Sequence, residues 1–294
     1  MHHLVVGGGG FVGRHLISAL AAGGNEVSVI DRSACPTTTS NHASWLVHDF
    51  VAGPLARSVA APDVVYCLVG TYRGRDAEVL ATNVHALHHA LSSLAAAPKL
   101  VVYVGAGSVY GECREVASED RPPAPVTVYG LAKWLAESVL AYHAMRCGFP
   151  YATLRPTNVY GPGNRKNVFW AFHEAYKKHG AVTILGDGLQ ARNFVYIDDF
   201  VDLLLRVAEP ARRRAVANQV FNVAGTETHT LRDVLRAMSD ALGRDIQATY
   251  APAEPGVLVD FRMSIAKAGR LLGWEPRVRF EEGARATFAS YAAG

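Results

Sequence analysis

Across the first half of the chain, short apolar runs alternate with stretches of helical spacing, and nothing else in the sequence constrains the fold as tightly. The runs cover 3–6, 26–30, 45–48, 63–69, 99–104 and 151–155; the helical stretches cover 11–22, 55–60, 76–96 and 127–147. Apolar runs this continuous suit strands covered on both faces. Strands alternating with helices build an α/β fold around a doubly wound parallel sheet, whose ligands bind beyond the carboxyl ends of the strands. After Pro156 the rhythm loosens. "LRDVLRAMSDALG" (231–243) and "SIAKAGRLLG" (264–273) read as amphipathic helices, each closed by a glycine suited to a C-cap. They predict a smaller C-terminal lobe, with no linker-like boundary before it.

Half of the 294 residues are hydrophobic and 19% are charged, a globular composition that argues against disorder. A net charge of +3 is too small to attract nucleic acid, and the basic run Arg212 to Arg214 reads as a solvated turn. No positively charged leader precedes an apolar signal region, and no apolar stretch is long enough for a bilayer, so a cytoplasmic protein without a membrane partner is expected. Cys35, Cys67, Cys113 and Cys147 are far apart and lack Cys-x-x-Cys spacing. Reduced thiols fit that pattern better than a disulfide framework or a zinc site. The "TTTSNH" stretch near residue 40 reads as a polar surface loop.

"LVVGGGGFVGRHL" places Gly7, Gly10 and Gly13 between the first strand and the first helix, with Phe11 and Val12 at the helix start. Such a turn lets the backbone approach a pyrophosphate, and the helix N-terminus adds amide donors and a positive dipole end. The second strand, "EVSVID", ends in Asp31, eighteen residues past Gly13. A carboxylate there accepts both hydroxyls of an adenosine ribose and repels a 2′-phosphate, so NAD is favoured over NADP. Arg32 can stack on adenine or tolerate that phosphate, and Asp49 of "HDF" can meet the adenine amino group. Phe50 and Leu68 complete the expected cofactor set. These residues outline a Rossmann NAD-binding domain over 1–165, with 190–225 returning to it and 166–294 mainly a substrate-binding lobe.

In "TVYGLAKWLAE", Tyr129 and Lys133 are i and i+4 and share one helix face. An ammonium near a phenol favours the phenolate, and a tyrosine tuned that way takes a proton from a sugar hydroxyl and returns it later. The pair does not stand alone. The glycine turn, Asp31, "YGLAK", "LRPTNVYGPGN" (154–164), "GDGLQARNFVYIDDF" (186–200), "FNVAG" (221–225) and "AKAGRLLGWEP" (266–276) occur in one order. This order resembles the extended short-chain dehydrogenase/reductases, in particular the NAD-dependent nucleotide-sugar epimerase/dehydratase family. The resemblance implies NAD on the Rossmann lobe and a nucleoside-diphosphate sugar in the cleft. It further implies that Tyr129 is the acid/base and that Lys133 binds nicotinamide ribose and lowers the tyrosine pKa. By the same resemblance Asn158, Asn167, Val168 and Arg192 contact substrate, Arg192 at the diphosphate, for which a planar guanidinium is suited.

The chain departs from the family pattern in "LVVYVGAGSVYG" (100–111). The usual hydroxyl three residues before Val-Tyr-Gly is Ala106 here, and losing one such preorganised hydrogen bond costs about 2–4 kcal/mol of transition-state stabilisation. Three readings stand side by side. Ser108 substitutes, being two residues along an extended segment and so on the same face; a hydroxyl from substrate, water or another loop serves; or the protein is a catalytically silent dinucleotide sensor on the same fold. Gly107-Ser108 also replace the Asp-Glu pair of family 4,6-dehydratases. That leaves a sugar 4-epimerase as first expectation and an NAD(P)H-dependent keto-sugar reductase as the alternative. Further departures are "CLVG" (67–70) where a histidine is usual, and Asp260 where a second phosphate-binding arginine is usual, with Arg262 close by. In "TYRGR" (71–75), Tyr72 and Arg73 can face the sugar. The stretch 108–125 is expected as a flexible cover over the cleft. His85, His88 and His89 mimic metal-ligand spacing, but no carboxylate or cysteine joins them, so no metal is expected. Trp134, Leu135, Val139 and Leu140 give the Tyr129 helix surplus apolar surface, and the resemblance implies a homodimer through this helix and 76–96.

Overall fold

A computed structural model describes residues 1–35, 43–59, 62–252 and 261–292; the "TTTSNH" stretch and Asp260 lie outside them. From the N-terminus run β1 (His2–Val6), α1 (Phe11–Ala22), β2 (Glu26–Asp31), β3 (Ser44–Val47) and β4 (Val64–Cys67). Then come α2 (Asp76–Leu80), α3 (Ala86–Ser92), β5 (Leu100–Val104), β6 (Cys113–Ala117) and α4 (Val128–Cys147). Next are β7 (Tyr151–Pro156), β8 (Asn158–Tyr160), α5 (Val168–His179), β9 (Val182–Leu185), β10 (Arg192–Tyr196), α6 (Ile197–Ala208) and α7 (Arg213–Val216). The chain closes with β11 (Gln219–Val223), β12 (Thr228–His229), α8 (Leu231–Leu242), β13 (Ala248–Ala251), β14 (Phe261–Met263), α9 (Ala266–Leu272) and α10 (Phe280–Ala292).

Seven parallel strands form the main sheet in the order β11-β7-β5-β4-β1-β2-β3, the doubly wound Rossmann arrangement. Alternate residues of each strand feed opposite faces. Val5, Val29, Tyr66 and Val102 pack under Leu16 and Ile17 of α1 and Phe200, Leu203 and Leu204 of α6. Leu4, Val6, Val65 and Tyr103 pack under Leu87 and Leu91 of α3 and Ala136 and Leu140 of α4. Leu140 is fully buried there, so it belongs to the core and not to an interface. The direction of the chain reverses between β1 and β4, so the crevice beyond their carboxyl ends is the expected ligand site.

The rest of the chain builds a second hydrophobic cluster around Phe169, Phe172, Phe194, Phe280 and Phe288. β10 joins β12, β14 and β6 in a second sheet and also pairs with β8. Two expected elements differ. Residues 55–59 are not helical; Leu55 N donates to the Ser93 hydroxyl and Val59 bridges to Leu94. The long helix expected over 76–96 is broken by a π-helical turn at Ala81–His85. The stretch 108–125, expected as a flexible cover, carries a paired strand. Cys113–Ala117 pairs with β14, Cys113 and Ala117 are buried, and Glu119 Oε1 accepts from Asn222 N at 2.8 Å. Sequence periodicity missed this strand because its partner lies about 150 residues away.

Candidate active site

The first turn of the site is set by backbone geometry. Gly7 has φ +84°, and its N–H donates to Ile30 O at 2.8 Å. A Cβ on Gly13 would lie 2.5 Å from Gly8 O, so the helix sits on the turn only because that position carries no side chain. Gly10 is the N-cap of α1, which has no side-chain cap and no acidic residue in its first turn. Phe11 and Val12 open the helix, and its first amides remain donors for an anion. Asp31 closes β2 against the same turn, accepting from Gly9 N and Ser33 N at 2.9 Å each. Gly9 was not foreseen as a partner of Asp31, since nothing local to either residue signals the contact.

Arg32 is exposed beside Asp31, and Asp49 is exposed with one carboxylate oxygen on Val51 N. Phe50 points into the core, and only its carbonyl serves a polar partner, His89 Nδ1 at 2.7 Å. That bond, and the His88–His143 contact at 3.0 Å, tie the histidine row into the helix packing.

Leu68 is partly buried where β4 reaches the crevice, next to Val69, whose backbone nitrogen lies against Gly7. Beyond it, Asn83 is almost fully buried in the π-helical turn. Its Nδ2 donates to Thr71 O at 2.7 Å and Val79 O at 2.8 Å, while Oδ1 has no partner among the described residues. A methyl on Gly70 would lie 2.6 Å from that Oδ1 and 2.8 Å from Lys133 Nζ. Buried polar atoms are rarely left unpaired, so an orphaned amide oxygen beside a lysine at the strand ends marks a place for a ligand. Asn83 was missed by sequence reading; its signal was the break in helical spacing, because π-turns concentrate at functional sites. The glycine turn, the Asp31 carboxylate and this orphaned oxygen together fit a dinucleotide lying across the switch point.

Tyr129 and Lys133 face this place from α4, whose N-terminus is capped by Thr127 Oγ1 accepting from Gly130 N at 3.1 Å. Lys133 Nζ donates to Val104 O at 2.9 Å and lies 5.9 Å from the Tyr129 ring centroid. Burial, and after it the Tyr72 phenol, pushes the Tyr129 phenol up to about 12. Burial pulls the Lys133 ammonium down to about 8 against the opposing charges of Glu137 and Cys67. Desolvation is thus the largest influence on the phenol, while the lysine ammonium is held on a carbonyl. Where a histidine is usual, the Cys67 thiol is buried and pushed up to about 12.

Gly107–Tyr110 forms a 3₁₀ turn against the start of α4, with Ser108 O close against Gly130. Ala106 is buried and offers no polar side-chain atom. The Ser108 hydroxyl is enclosed and has no partner among the described residues. A Cβ at 107 would meet the Phe261 ring at 2.7 Å and Met263 Sδ at 2.8 Å, so the side chains of β14 pack directly on Gly107.

The remaining candidates come from the second lobe and the loops. Asn158 Nδ2 donates to Asn193 O at 3.1 Å. Asn167 Oδ1 accepts from Trp170 N at 3.2 Å and so caps α5, and Val168 begins the helix. Arg192 pairs in register with Phe261, and burial holds its guanidinium below its ordinary value. Arg262 is the next residue of β14, its Nε enclosed without a partner among the described residues. Tyr72 stands edge-on to Tyr129, ring centroids 6.1 Å apart.

The profile of the NAD dependent epimerase/dehydratase family matches residues 3–224. The chain is similar to the UDP-glucose 4-epimerase of Mycolicibacterium smegmatis, at 30% identity over 96% of this chain and 96% of that protein. It is also similar to the solved UDP-glucuronic acid 4-epimerase from Bacillus cereus in complex with UDP-glucuronic acid and NAD. There the TM-score is 0.88 at 25% identity, covering 100% of this chain and 99% of that one. The UDP-glucose 4-epimerase of Thermotoga maritima, solved with UDP-glucose, gives a TM-score of 0.86 at 27% identity over the same shares. With the profile spanning the whole parallel sheet and a relative matching over nearly the full length, the chain belongs to the NAD-dependent epimerase/dehydratase family.

Proposed function

We propose that the protein is a nucleotide-sugar 4-epimerase with NAD as its cofactor, inverting C4 through a 4-keto sugar. One observation carries this reading beyond the family. Tyr129 and Lys133 lie on the helix that packs against a turn in which Gly107-Ser108 stand where a dehydratase carries its acid pair, and the Ser108 hydroxyl there is enclosed without a partner among the described residues. The similar proteins described as 4-epimerases, two of them solved with UDP-sugars, favour a UDP-sugar as substrate.

Gly7, Gly10, Gly13 and the amides of Phe11 and Val12 would hold the pyrophosphate, Asp31 the adenosine ribose, and Asn83 and Lys133 the nicotinamide end. Arg32, Asp49, Phe50 and Leu68 would line the adenine and ribose walls. Bound NAD supplies a carrier that takes and returns hydride at C4. Tyr129 moves the O4 proton, and its raised pKa means that it needs nearby positive charge before it accepts that proton; Lys133 provides part of it. Ser108 donates to or accepts from O4 in place of the hydroxyl missing at Ala106. Asn158, Asn167, Val168, Arg192 and Arg262, in the 166–294 lobe and its border, would grip the sugar and diphosphate, with 1–165 and 190–225 carrying the cofactor.

Incubating the purified protein with UDP-, dTDP- and GDP-sugars, with and without NADH, tests this. Epimer formed without net cofactor use supports it. Net NADH consumption would establish the reductase, and no reaction with retained NAD would leave a sensor. The substitution Ser108→Ala should lower kcat at least about tenfold with NAD still bound, since one preorganised hydrogen bond is at stake; an unchanged kcat removes Ser108 from the mechanism.

No helix among the described residues is long and apolar enough to cross a membrane. We place the enzyme in the cytoplasm, which suits Cys67, Cys113 and Cys147, thiols outside any disulfide. Leu131, Trp134, Leu135, Tyr142 and Met145 leave an exposed apolar face on α4. We assign that face to a homodimer contact. Sedimentation should show dimers at micromolar concentration, and Trp134→Glu should shift them to monomers.

A further inference from the structure

Two anchored loops meet beside Tyr129 through a bond from Tyr72 to Lys166. The loop after β4 is held from below by Asn83 Nδ2 on Thr71 O at 2.7 Å, and Thr71 Oγ1 closes a turn with Arg73 N and O, both at 3.1 Å. Facing it, the turn before α5 is held by Asn164, whose Nδ2 donates to Val159 O at 3.0 Å, whose Oδ1 accepts from Lys166 N at 3.0 Å, and whose carbonyl accepts from the Tyr291 hydroxyl. Between them the Tyr72 hydroxyl donates to Lys166 O. The Arg73 guanidinium lies over the Tyr72 ring at 5.4 Å, and the ring edge faces Tyr129. Tyr72 is 48% exposed, so this closure faces solvent and can open without disturbing the core.

We propose that Tyr72 is a retention residue: by tying the 71–75 loop to Lys166 across the cleft it keeps the half-reacted keto-sugar from leaving. The inference rests on the 4-epimerase reading. An epimerase has a need that a one-way dehydrogenase lacks. Once Tyr129 has taken the O4 proton, the keto-sugar would have to turn over in place before Tyr129 returns that proton, with bound NAD supplying the hydride chemistry. If the ketone escapes, the enzyme is left reduced and cannot complete the cycle. A closure of one exposed hydrogen bond opens often enough to admit substrate and still lengthens the stay of the intermediate.

The test compares wild type with Tyr72→Phe, which keeps the ring beside Tyr129 and removes the bond to Lys166, and with Tyr72→Ala, which removes both. Dissociation of UDP-glucose and of UDP, followed by stopped flow on the NAD-loaded protein, should be about three- to tenfold faster in Tyr72→Phe, the effect of one net hydrogen bond. During turnover the near-ultraviolet absorbance of reduced cofactor should accumulate, with free 4-keto sugar in solution. NAD content and the circular dichroism spectrum should stay unchanged. Unchanged dissociation rates would overturn the proposal, as would a fall in kcat with neither faster dissociation nor reduced cofactor, which would assign Tyr72 to support of Tyr129. If wild type epimerises no sugar, the reading beneath the proposal fails, and the UDP dissociation rates still show separately whether Tyr72 closes the cleft.

Discussion

Tyr129→Phe is expected to lower kcat about a thousandfold while leaving NAD bound, within the roughly 10²- to 10⁴-fold span of a positioned general acid/base. The phenylalanine ring keeps the edge contact with Tyr72 and the packing of α4, so the substitution removes one oxygen and little else. That oxygen is the proposed carrier of the O4 proton. Its phenol stands at about 12 in the protein, and the charge that brings it into range comes partly from Lys133, itself near 8. Lys133 loses its proton as pH rises through about 8, so turnover should fall on the alkaline side. A loss in kcat of less than tenfold, measured by following both epimers with NMR, would move the acid/base role elsewhere.

The second large effect is on stability. Arg155 of β7 forms a two-point ion pair with Glu137 of α4, Nε to Oε1 at 2.9 Å and Nη2 to Oε2 at 2.6 Å, with side chains 6% and 12% exposed. Its guanidinium also lies 4.8 Å from the Tyr110 ring centroid, and the Tyr110 hydroxyl donates to Asn222 Oδ1. Removing one partner of a buried pair strands the other charge, so Arg155→Met should cost about 3–5 kcal/mol of unfolding free energy in denaturant melts. The double variant Glu137→Gln/Arg155→Met should recover much of that, because no charge is then left unpaired. Glu137→Gln alone should also move the alkaline limb of the pH profile to lower pH, since the Glu137 carboxylate supports the protonated Lys133. A single variant as stable as wild type would show that the pair is not closed to solvent.

Local features of the site were readable before any fold was known. The glycine turn, Asp31 and the Tyr-x-x-x-Lys spacing each lie within one turn, one strand end or one helix face, so residue type and spacing are enough to predict them. What failed was whatever depended on a distant partner. The segment 108–125 read as a flexible cover because β14 cannot be seen from it. The lowered tyrosine pKa was expected from a neighbouring cation, but burial, a property of the whole fold, weighs more.

The order of strands and helices, the dinucleotide turn and the tyrosine–lysine face were therefore determined by the sequence itself, since periodicity and turn chemistry act over a few residues. Tertiary structure alone decided which polar atoms are left orphaned, at Asn83 and Ser108, and which loops meet, at Tyr72 and Lys166. It also decided that Phe261 and Met263 pack on position 107. Those facts arise only when segments far apart in the chain exclude water together, because only then does an unpaired atom or a missing side chain carry a free-energy consequence.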